Sequence, residues 1–268
     1  ESLEKTIKEL ADLKPDFVSV TFGAGGSTRE GSRQLVEKLK KEYALEVVAY
    51  FAGYGLGTGD IISILEDYKK LDVETLLVVR GDAPHDNKDF IPHPESFKYA
   101  SELIEFINSR FDFCIGAAGY PEGHIEAAST EKDIEYLKLK VTKGANYIIT
   151  NYCYNNRYFF DFIKKCGDKG IDTLIIPGVM PIYSIKMMEN LAKLCGATIT
   201  EEIKEKLYQL KPDDKDAIEN FGIEFAINQC RELIQHGVPG IHFYTMDRSS
   251  SSKAIVASLR SEGLFSNV

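Results

Sequence analysis

Polar side chains follow several short apolar runs of the sequence, and the clearest example is Arg80-Gly81-Asp82 directly after Thr75–Val79. Two side chains of opposite charge at the end of a buried strand either face a ligand or form an ion pair with each other. A carboxylate in a dry pocket acts most strongly where positive charge appears during a reaction, so Asp82 is a candidate for stabilising a developing cation. We take this strand end as the centre of the predicted chemistry, with a structural ion pair between Arg80 and Asp82 as the alternative.

A second polar stretch follows the next apolar run, where Tyr120 and His124 lie four residues apart. An aromatic ring and an imidazole at this spacing can contact a planar ligand, and ordinary loop packing is the alternative. Lys138 and Lys140 come later on a predicted helix, with Asp133 nearby. These lysines could approach a diphosphate, although solvated lysines on an outer helix are the default interpretation.

The glycine-rich segment Gly53–Gly59 follows an apolar run and precedes a helical pattern, as a dinucleotide-binding loop would. The spacing G-x-G-x-x-G is nevertheless absent, because its last glycine would fall on Thr58 or Asp60. A flexible loop, or one that lies close to a ligand, is the better interpretation. The sequence also lacks P-loop, H-E-x-x-H and G-x-S-x-G motifs, which argues against kinase, zincin and serine-hydrolase chemistry.

The elements that position these residues are predicted from an alternation of short β-branched or aromatic runs with longer helical patterns. Most of the runs are continuously apolar, as expected for parallel strands that are buried on both faces, and helices must cover them. Repetition of this unit is typical of a β/α barrel or a doubly wound sheet, and barrel chemistry sits at the C-terminal strand ends. Seven strands are predicted, at residues 17–22, 46–51, 75–79, 113–117, 147–150, 173–176 and 240–244.

The length of 268 residues matches the roughly 250 residues at which one β/α barrel closes. We therefore predict the α/β class and a single (β/α)8 TIM-barrel domain over residues 1–268. The chain opens and ends in a helical pattern and shows seven strands where a closed barrel needs eight. We expect the first strand of the barrel to lie upstream of Glu1.

Composition narrows the class of function. With 32 basic and 41 acidic side chains the net charge is −9, which disfavours nucleic acid as a partner. No apolar run approaches the roughly 18 residues of a membrane helix, and the N-terminus has no signal-peptide character, so we expect a soluble cytoplasmic protein without a membrane partner. The five cysteines are odd in number and include no C-x-x-C pair, so we expect reduced thiols and no metal site.

Six motifs occur in order between about residue 10 and about residue 260. They are Leu13-Lys14-Pro15-x-Phe17-Val18-Ser19-Val20-Thr21-x-Gly23-Ala24, Arg80-Gly81-Asp82, Tyr120-Pro121-Glu122-x-His124-x-Glu126-Ala127, Gly144-Ala145-Asn146 through Ile149-Thr150, Ile176-Pro177-Gly178-x-x-Pro181, and His242-Phe243-Tyr244-Thr245-x-x-Arg248. Together they resemble the methylenetetrahydrofolate reductase family, flavoprotein barrels that reduce a one-carbon folate.

The resemblance implies reduction of 5,10-methylenetetrahydrofolate to 5-methyltetrahydrofolate, in one-carbon metabolism and methionine biosynthesis, with hydride passing from reduced FAD to the 5-iminium cation of the substrate. Asp82, Asn151 and Arg248 match substrate-binding positions of the family. Asp82 would be the catalytic residue that favours the cation, and Arg248 would pair with a folate carboxylate. Eleven positions match its flavin contacts: Thr21, Ala24, Arg80, Gly81, Asp82, Ala100, Tyr120, His124, Ala127, Asp133 and Lys140.

The sequence departs from the family pattern at four places. Nothing matches the Phe-Glu-Phe-Phe-Pro-Pro-like first strand, whose glutamate is the proton donor of the family. Tyr50–Gly53 replaces His-Leu-Thr-Cys, Asn151 replaces a glutamine, and Leu191 replaces a phenylalanine that stacks on nicotinamide. The electron donor therefore stays open between NADH, NADPH and an electron-delivering partner subunit. We also expect a homo-oligomer.

Two other functions fit the same strand ends. A non-catalytic assembly subunit that binds flavin or folate with the same barrel would account for the absent glutamate and for the replacement of His-Leu-Thr-Cys by Tyr50–Gly53. A different flavin barrel, such as a proline dehydrogenase relative, would bind a flavin that does not respond to folate.

Overall fold

The computed structural model describes residues 2–23, 26–83, 89–211 and 213–265, apart from the side chains of residues 26–28. Helices and strands alternate along most of these ranges. The strands are β1 (Val18–Val20), β2 (Val47–Ala52), β3 (Thr75–Val79), β4 (Cys114–Gly119), β5 (Tyr147–Tyr152), β6 (Leu174–Val179) and β7 (His242–Phe243). The helices are α1 (Leu3–Ala11), α2 (Gly26–Glu42), α3 (Thr58–Lys70), α4 (Ala100–Asn108), α5 (Thr130–Thr142), α6 (Asn156–Asp168), α7 (Ile185–Cys195), α8 (Glu201–Leu207), α9 (Lys215–Gln235) and α10 (Ser250–Ser261).

The strands form one sheet in the hydrogen-bonded order β1-β2-β3-β4-β5-β6-β7. Pairing is parallel at β1–β2, β2–β3, β3–β4 and β6–β7, with Val20 opposite Ala49 and Phe51 opposite Val78. Parallel strands in sequential order, joined by helices, are the topology of a β/α barrel, whereas a doubly wound sheet reverses its strand order. The predicted fold class is confirmed, while the upstream eighth strand stays a prediction.

All seven predicted strands are present; β3 has the predicted bounds, and the other six end at residues that differ from the predicted ones. The strand predicted at residues 173–176 continues to Val179, because Gly178 and Val179 pair with His242 and Phe243 of β7. Conversely, β7 keeps only these two residues of the predicted run 240–244. Apolar periodicity locates a strand, but the pairing of its neighbours decides where it ends.

The chain divides into two compact units, with one boundary between α1 and β1 and the other three inside β4, α5 and β5. The Arg80 unit comprises Pro15–Ala118 and Tyr136–Ile148. The Arg248 unit comprises Glu1–Lys14, Gly119–Glu135 and Ile149–Val268. Each unit has an apolar interior of its own. The single domain predicted from the chain length stays a prediction.

The interior of the Arg80 unit lies between its strands and the helices that cover them. Phe51, Leu76 and Ile115 are fully buried on three neighbouring strands, as the continuous apolar runs predict. Gly116 of β4 leaves room for the ring of Tyr147, whose hydroxyl donates to the Leu76 carbonyl at 2.7 Å. A side chain at position 116 would occupy the space of this ring.

The Arg248 unit is organised around a close backbone approach at Gly178 of β6. The Gly178 N–H donates to Thr150 Oγ1 at 3.0 Å, and the Tyr244 hydroxyl donates to the Thr150 carbonyl at 3.0 Å. A Cβ on Gly178 would meet that carbonyl oxygen and would lie 2.6 Å from the Tyr244 ring. Beyond the ends of β5 and β6 lies an apolar cluster of Tyr152, Tyr154, Met180, Ile182, Met188, Ile203, Leu207 and Ile218.

His242 is a buried titratable side chain at the start of β7, in the Arg248 unit. The edge of its ring meets Tyr244, with the ring centroids 4.6 Å apart. Burial lowers the pKa of His242 from 6.5 to about 4, because the charged imidazolium loses its hydration inside the protein. The side chain is therefore neutral at physiological pH.

The part of the chain that the structure describes contains no helix long and apolar enough to cross a bilayer. It also contains no group of three or more His, Cys, Asp or Glu side chains placed to hold a metal ion. All five cysteines are free thiols, and burial raises the pKa values of Cys153, Cys166 and Cys230 to about 12. These three side chains therefore act as small apolar residues of the interior.

We expect Gly178→Ala to lower the free energy of unfolding by about 2 kcal/mol, because the added methyl group overpacks a site bounded by rigid backbone. Gly240→Ala is the matched control, since a Cβ there has no atom of the described chain within 4 Å. Its effect should stay within about 0.5 kcal/mol. Urea denaturation of the two variants measures both effects. Equal stability of the two would contradict the close approach at Gly178.

The neutral state of His242 makes stability depend on pH. Between pH 6.5 and about 4 the unfolded chain binds a proton at this residue and the folded chain does not. Stability therefore falls as the pH falls through this window, by about 1.4 kcal/mol per pH unit from this group alone. His242→Gln should remove this part of the slope in urea titrations at pH 7, 6 and 5. The same slope in both proteins would refute the assignment, and so would an imidazole NMR midpoint near 6.5 for His242.

Candidate functional site

The predicted strand end of the Arg80 unit is present at the end of β3. Arg80 donates from Nη2 to Asp82 Oδ1 at 2.8 Å and from Nε to the Gly81 carbonyl at 3.1 Å. Arg80 and Asp82 therefore form the ion pair that was predicted from the sequence as the alternative to a ligand site. It does not exclude a functional role, because the Asp82 side chain remains 73% exposed and exposed ion pairs contribute only about 0–1 kcal/mol. A ligand can compete for either partner at little cost.

Gly81 gives this strand end its shape. Its φ of +79° lies in the left-handed region, and a Cβ would lie 2.9 Å from Cβ of Ala52. The segment just after β2 holds Arg80 in place, because the Tyr54 N–H donates to the Arg80 carbonyl at 2.9 Å. Backbone contacts thus fix the main chain of Arg80 and Gly81, and this places the exposed Asp82 carboxylate at the strand end.

The glycine-rich segment after β2 packs against residues 90–96 of the same unit. Gly55 has φ +82° and donates from its N–H to Ser96 Oγ at 2.7 Å, and its carbonyl accepts from the His93 N–H at 3.2 Å. The Phe90 ring occupies the place that a Gly55 side chain would need. Thr58 adds a hydrogen bond to Glu95 at 2.6 Å. The segment therefore lies against another loop of the protein.

Other predicted flavin-contacting positions of the Arg80 unit are more dispersed. Thr21 is exposed just after β1, and Ala100 is the half-buried first residue of α4. Lys140, on α5, donates from Nζ to the Ala118 carbonyl in β4 at 2.7 Å, so it is not a solvated outer lysine. Ala24 lies outside the described residues.

In the Arg248 unit, the loop after β4 orients His124. The Glu126 N–H donates to His124 Nδ1 at 3.1 Å, so a neutral ring carries its proton on Nε2 and presents an N–H donor. The ring meets Tyr120 edge-on, with centroids 4.7 Å apart. The His124 backbone N–H donates to the buried Asp133 carboxylate at 3.3 Å, and the Ala127 N–H donates to the His124 carbonyl at 2.9 Å. These four predicted positions thus form one local cluster.

The same loop is anchored to the segment after α7. Both carboxylate oxygens of Glu122 accept from the Thr198 N–H at 3.1 Å. Ile125 lies against Gly196, whose φ of +73° ends α7. Glu122 and Ile125 therefore both anchor the motif Tyr120–Ala127 to the segment that follows α7.

Two positions that depart from the family pattern lie next to the apolar cluster. The Asn151 side-chain amide donates to the Cys195 carbonyl at 3.3 Å. Leu191 is partly buried and packs against the cluster that contains Tyr152 and Tyr154. Asn151 keeps its side-chain carbonyl for another partner, whereas Leu191 offers no aromatic face.

Arg248 lies in the turn between β7 and α10 and is exposed. Its guanidinium lies over the ring of Tyr183, 5.1 Å from the centroid. No carboxylate of the described residues lies within ion-pair distance of it, so its charge is available to an anionic ligand. Sequence reasoning missed Tyr183, because its contacts join residues more than 60 positions apart and no local pattern indicates them.

The sequence of the chain matches known proteins along almost its whole length. A family model described as methylenetetrahydrofolate reductase matches residues 1–260. The 5,10-methylenetetrahydrofolate reductase of Escherichia coli K12 is 31% identical over 97% of this chain and 85% of its own length. Methylenetetrahydrofolate reductase (NADH) 1 of Arabidopsis thaliana is 31% identical, and methylenetetrahydrofolate reductase 1 of Schizosaccharomyces pombe is 33% identical. This chain spans only 45% and 41% of their lengths, against 97% and 92% of its own.

A solved structure supports the fold. An uncharacterized protein from Clostridium thermocellum, described as binding two copies of 5-methyl-5,6,7,8-tetrahydrofolic acid, superposes with a TM-score of 0.64. Coverage is 97% of this chain and 88% of that one, at 16% identity, so this likeness concerns the fold alone. The match to the family model and the 31% identity with the E. coli enzyme show the family as well as the fold. The chain belongs to the methylenetetrahydrofolate reductase family.

Proposed function

We propose that this protein reduces 5,10-methylenetetrahydrofolate to 5-methyltetrahydrofolate, with FAD as its cofactor. The observation that carries the proposal is the carboxylate of Asp82, at the end of a buried strand and mostly exposed beside Arg80. Chains of this family are named for the same reaction, as in the E. coli relative that this chain covers to 85%.

The chemistry of the substrate explains the need for a carboxylate. A proton at N10 opens the five-membered ring of methylenetetrahydrofolate and leaves a CH₂=N⁺ iminium at N5. Hydride addition to that carbon gives the 5-methyl group and removes the positive charge. The negative charge of Asp82 stabilises the iminium, and its effect is larger once substrate excludes water from the site. We assign no residue of this chain as the donor of the proton at N10.

The residues at the predicted positions have the donor chemistry that FAD needs. Arg80 and Lys140 carry cationic groups suited to phosphate oxygens, and the Nε2–H of His124 is a donor for a phosphate or ring carbonyl. Gly81 lets the strand end turn close to Ala52 without a side chain between them. FAD would supply the hydride when it is bound and in its reduced form. We propose as its contacts Thr21, Ala24, Arg80, Gly81, Asp82, Ala100, Tyr120, His124, Ala127, Asp133 and Lys140.

The substrate contacts are proposed from charge and hydrogen-bonding capacity. Arg248 has no carboxylate partner among the described residues, so it can pair with a carboxylate of the glutamate portion of folate. Asn151 donates to Cys195 and retains its side-chain carbonyl, which can accept from an N–H of the pterin.

Two observations bear on the reductant of the flavin. The Arabidopsis relative carries NADH in its name, whereas Leu191 gives this chain no aromatic ring on which nicotinamide would stack. We propose that the donor is NADH, NADPH or a reduced partner protein. Stopped-flow measurement of flavin reduction by each of them distinguishes the three.

The proposed function predicts that the purified protein contains or takes up FAD and that methylenetetrahydrofolate reoxidises the reduced flavin under anaerobic conditions. The absorbance of oxidised flavin near 450 nm reports both steps. A protein that takes up no FAD would refute the proposal. Binding of FAD and folate without reoxidation would favour the assembly-subunit function, and a flavin that reacts only with other substrates would favour a different flavin barrel.

Asp82→Asn should lower the rate of folate reduction by about 100-fold, because the amide keeps a hydrogen-bond acceptor for Arg80 but loses the charge that stabilises the cation. FAD affinity should change far less. The control is Asp67→Asn, which neutralises an exposed carboxylate paired with Lys70 on the outer helix α3. Rapid-reaction kinetics and flavin titration measure the two effects. Equal loss of reduction rate and FAD affinity would contradict the electrostatic role.

A further inference from the structure

Arg248 closes a strained turn after β7. Met246 and Asp247 both have left-handed backbone, with φ of 51° and 56°. This conformation is unfavourable for residues other than glycine, so two in succession persist only where surrounding contacts hold them. The Arg248 N–H closes the turn on the Thr245 carbonyl at 3.1 Å, and the Thr6 hydroxyl donates to the Asp247 carbonyl at 3.4 Å.

Tyr183 contacts both ends of this turn. Its hydroxyl donates to the Thr245 carbonyl at 2.9 Å, and its ring lies beneath the Arg248 guanidinium at 5.1 Å. The latter distance is within the range of a cation–π contact. Burial raises the pKa of Tyr183, so the hydroxyl keeps its proton and remains a donor. One side chain thus fixes the start of the turn and the direction of the arginine at its end.

Helix α9 holds Tyr183 and the turn in place. Gly222 on this helix lets its backbone contact the carbonyl of Ile182, directly before Tyr183. Three residues earlier, Glu219 accepts from the hydroxyls of Ser250 and Ser251 at 2.6 and 3.1 Å, in the first turn of α10. Helix α9 therefore contacts both Ile182, the residue before Tyr183, and α10, the helix that follows Arg248. Tyr183 itself is only 7% exposed.

We propose that Tyr183 is a positioning residue that holds Arg248 for the glutamate carboxylate of the folate substrate, and that this pair sets the preference for folates with an intact glutamate. The proposal rests on the proposed function for its substrate. The first part of the proposal, that Tyr183 holds Arg248, is supported by the contacts of the turn and does not depend on the substrate.

A held guanidinium changes specificity for a physical reason. A free arginine must give up side-chain entropy when it pairs with a carboxylate, whereas one already stacked on a ring gives up less. The gain exists only for a ligand that carries the carboxylate. Loss of Tyr183 should therefore raise KM for the glutamate-bearing substrate and leave kcat unchanged, since the turn does not touch the reacting carbon in this assignment.

The test compares 5,10-methylenetetrahydrofolate with 5,10-methylenetetrahydropteroate, which lacks the glutamate. We expect Tyr183→Leu to raise KM for the folate about 10-fold and Tyr183→Phe, which keeps the ring, about 3-fold. KM for the pteroate should not change. Arg248→Ala should raise KM for the folate about 30-fold, and adding Tyr183→Leu to it should have no further effect, because Tyr183 acts through Arg248.

Tyr154→Phe is the matched control, since this buried tyrosine lies in the apolar cluster of the same unit and should leave the discrimination unchanged. NMR gives a second readout without folate: the ring-current shift of the Arg248 Hε signal should survive Tyr183→Phe and vanish in Tyr183→Leu. Should Tyr183→Leu fail to fold, the kinetics of Tyr183→Phe carry the test.

Unchanged discrimination in both Tyr183 variants, with a wild-type enzyme that prefers the folate, would overturn the inference. An Arg248 signal insensitive to Tyr183→Leu would also overturn it. A wild-type protein that turns over neither compound would instead overturn the proposed function, and the NMR comparison would still decide whether Tyr183 holds Arg248.

Discussion

Burial of the parallel strands on both faces is the constraint on which the rest of this structure depends. Strand side chains point alternately to the two faces, and both faces are apolar where helices cover the sheet. A charge in the middle of such a strand would lose its hydration without compensation. Polar chemistry is therefore confined to the strand ends, which is why Arg80 and Asp82 come after β3, whose central residues Leu76–Val78 are buried. His242 is buried within a strand, and it is neutral there.

Close backbone approach is the second organising feature, and glycine makes it possible at the same strand ends. In the Arg248 unit, Gly178 lies against the Thr150 carbonyl and Gly222 against that of Ile182. In the Arg80 unit, Gly81 turns the chain against Ala52. Each contact fixes main chain close to a residue that could meet a ligand. Side chains with many rotamers can then serve binding, because close contacts hold the backbone that carries them.

The sequence predicted the elements and the polar strand ends because both depend on local patterns. Apolar runs located β1 to β7, and residues next to one another in the chain, such as Arg80 and Asp82, are necessarily close in space. His124 is oriented by Glu126 and Asp133, which lie within nine positions of it in the sequence. Glu126 belongs to a matched motif, and Asp133 follows that motif closely. Contacts between distant segments had no such signal. Tyr183 meets Thr245 across 62 positions, and Asn151 meets Cys195 across 44, so only the folded chain shows them.

The contact between Gly55 and Phe90 has a consequence for the evolution of this branch of the family. The aromatic ring fills the volume in which any other residue at position 55 would place its side chain, and the backbone there is left-handed. The constraint runs in one direction: a larger residue at 55 requires the ring at 90 to be lost or to move, whereas a smaller residue at 90 leaves Gly55 unaffected. Homologous chains that keep an aromatic residue at position 90 should therefore keep glycine at position 55.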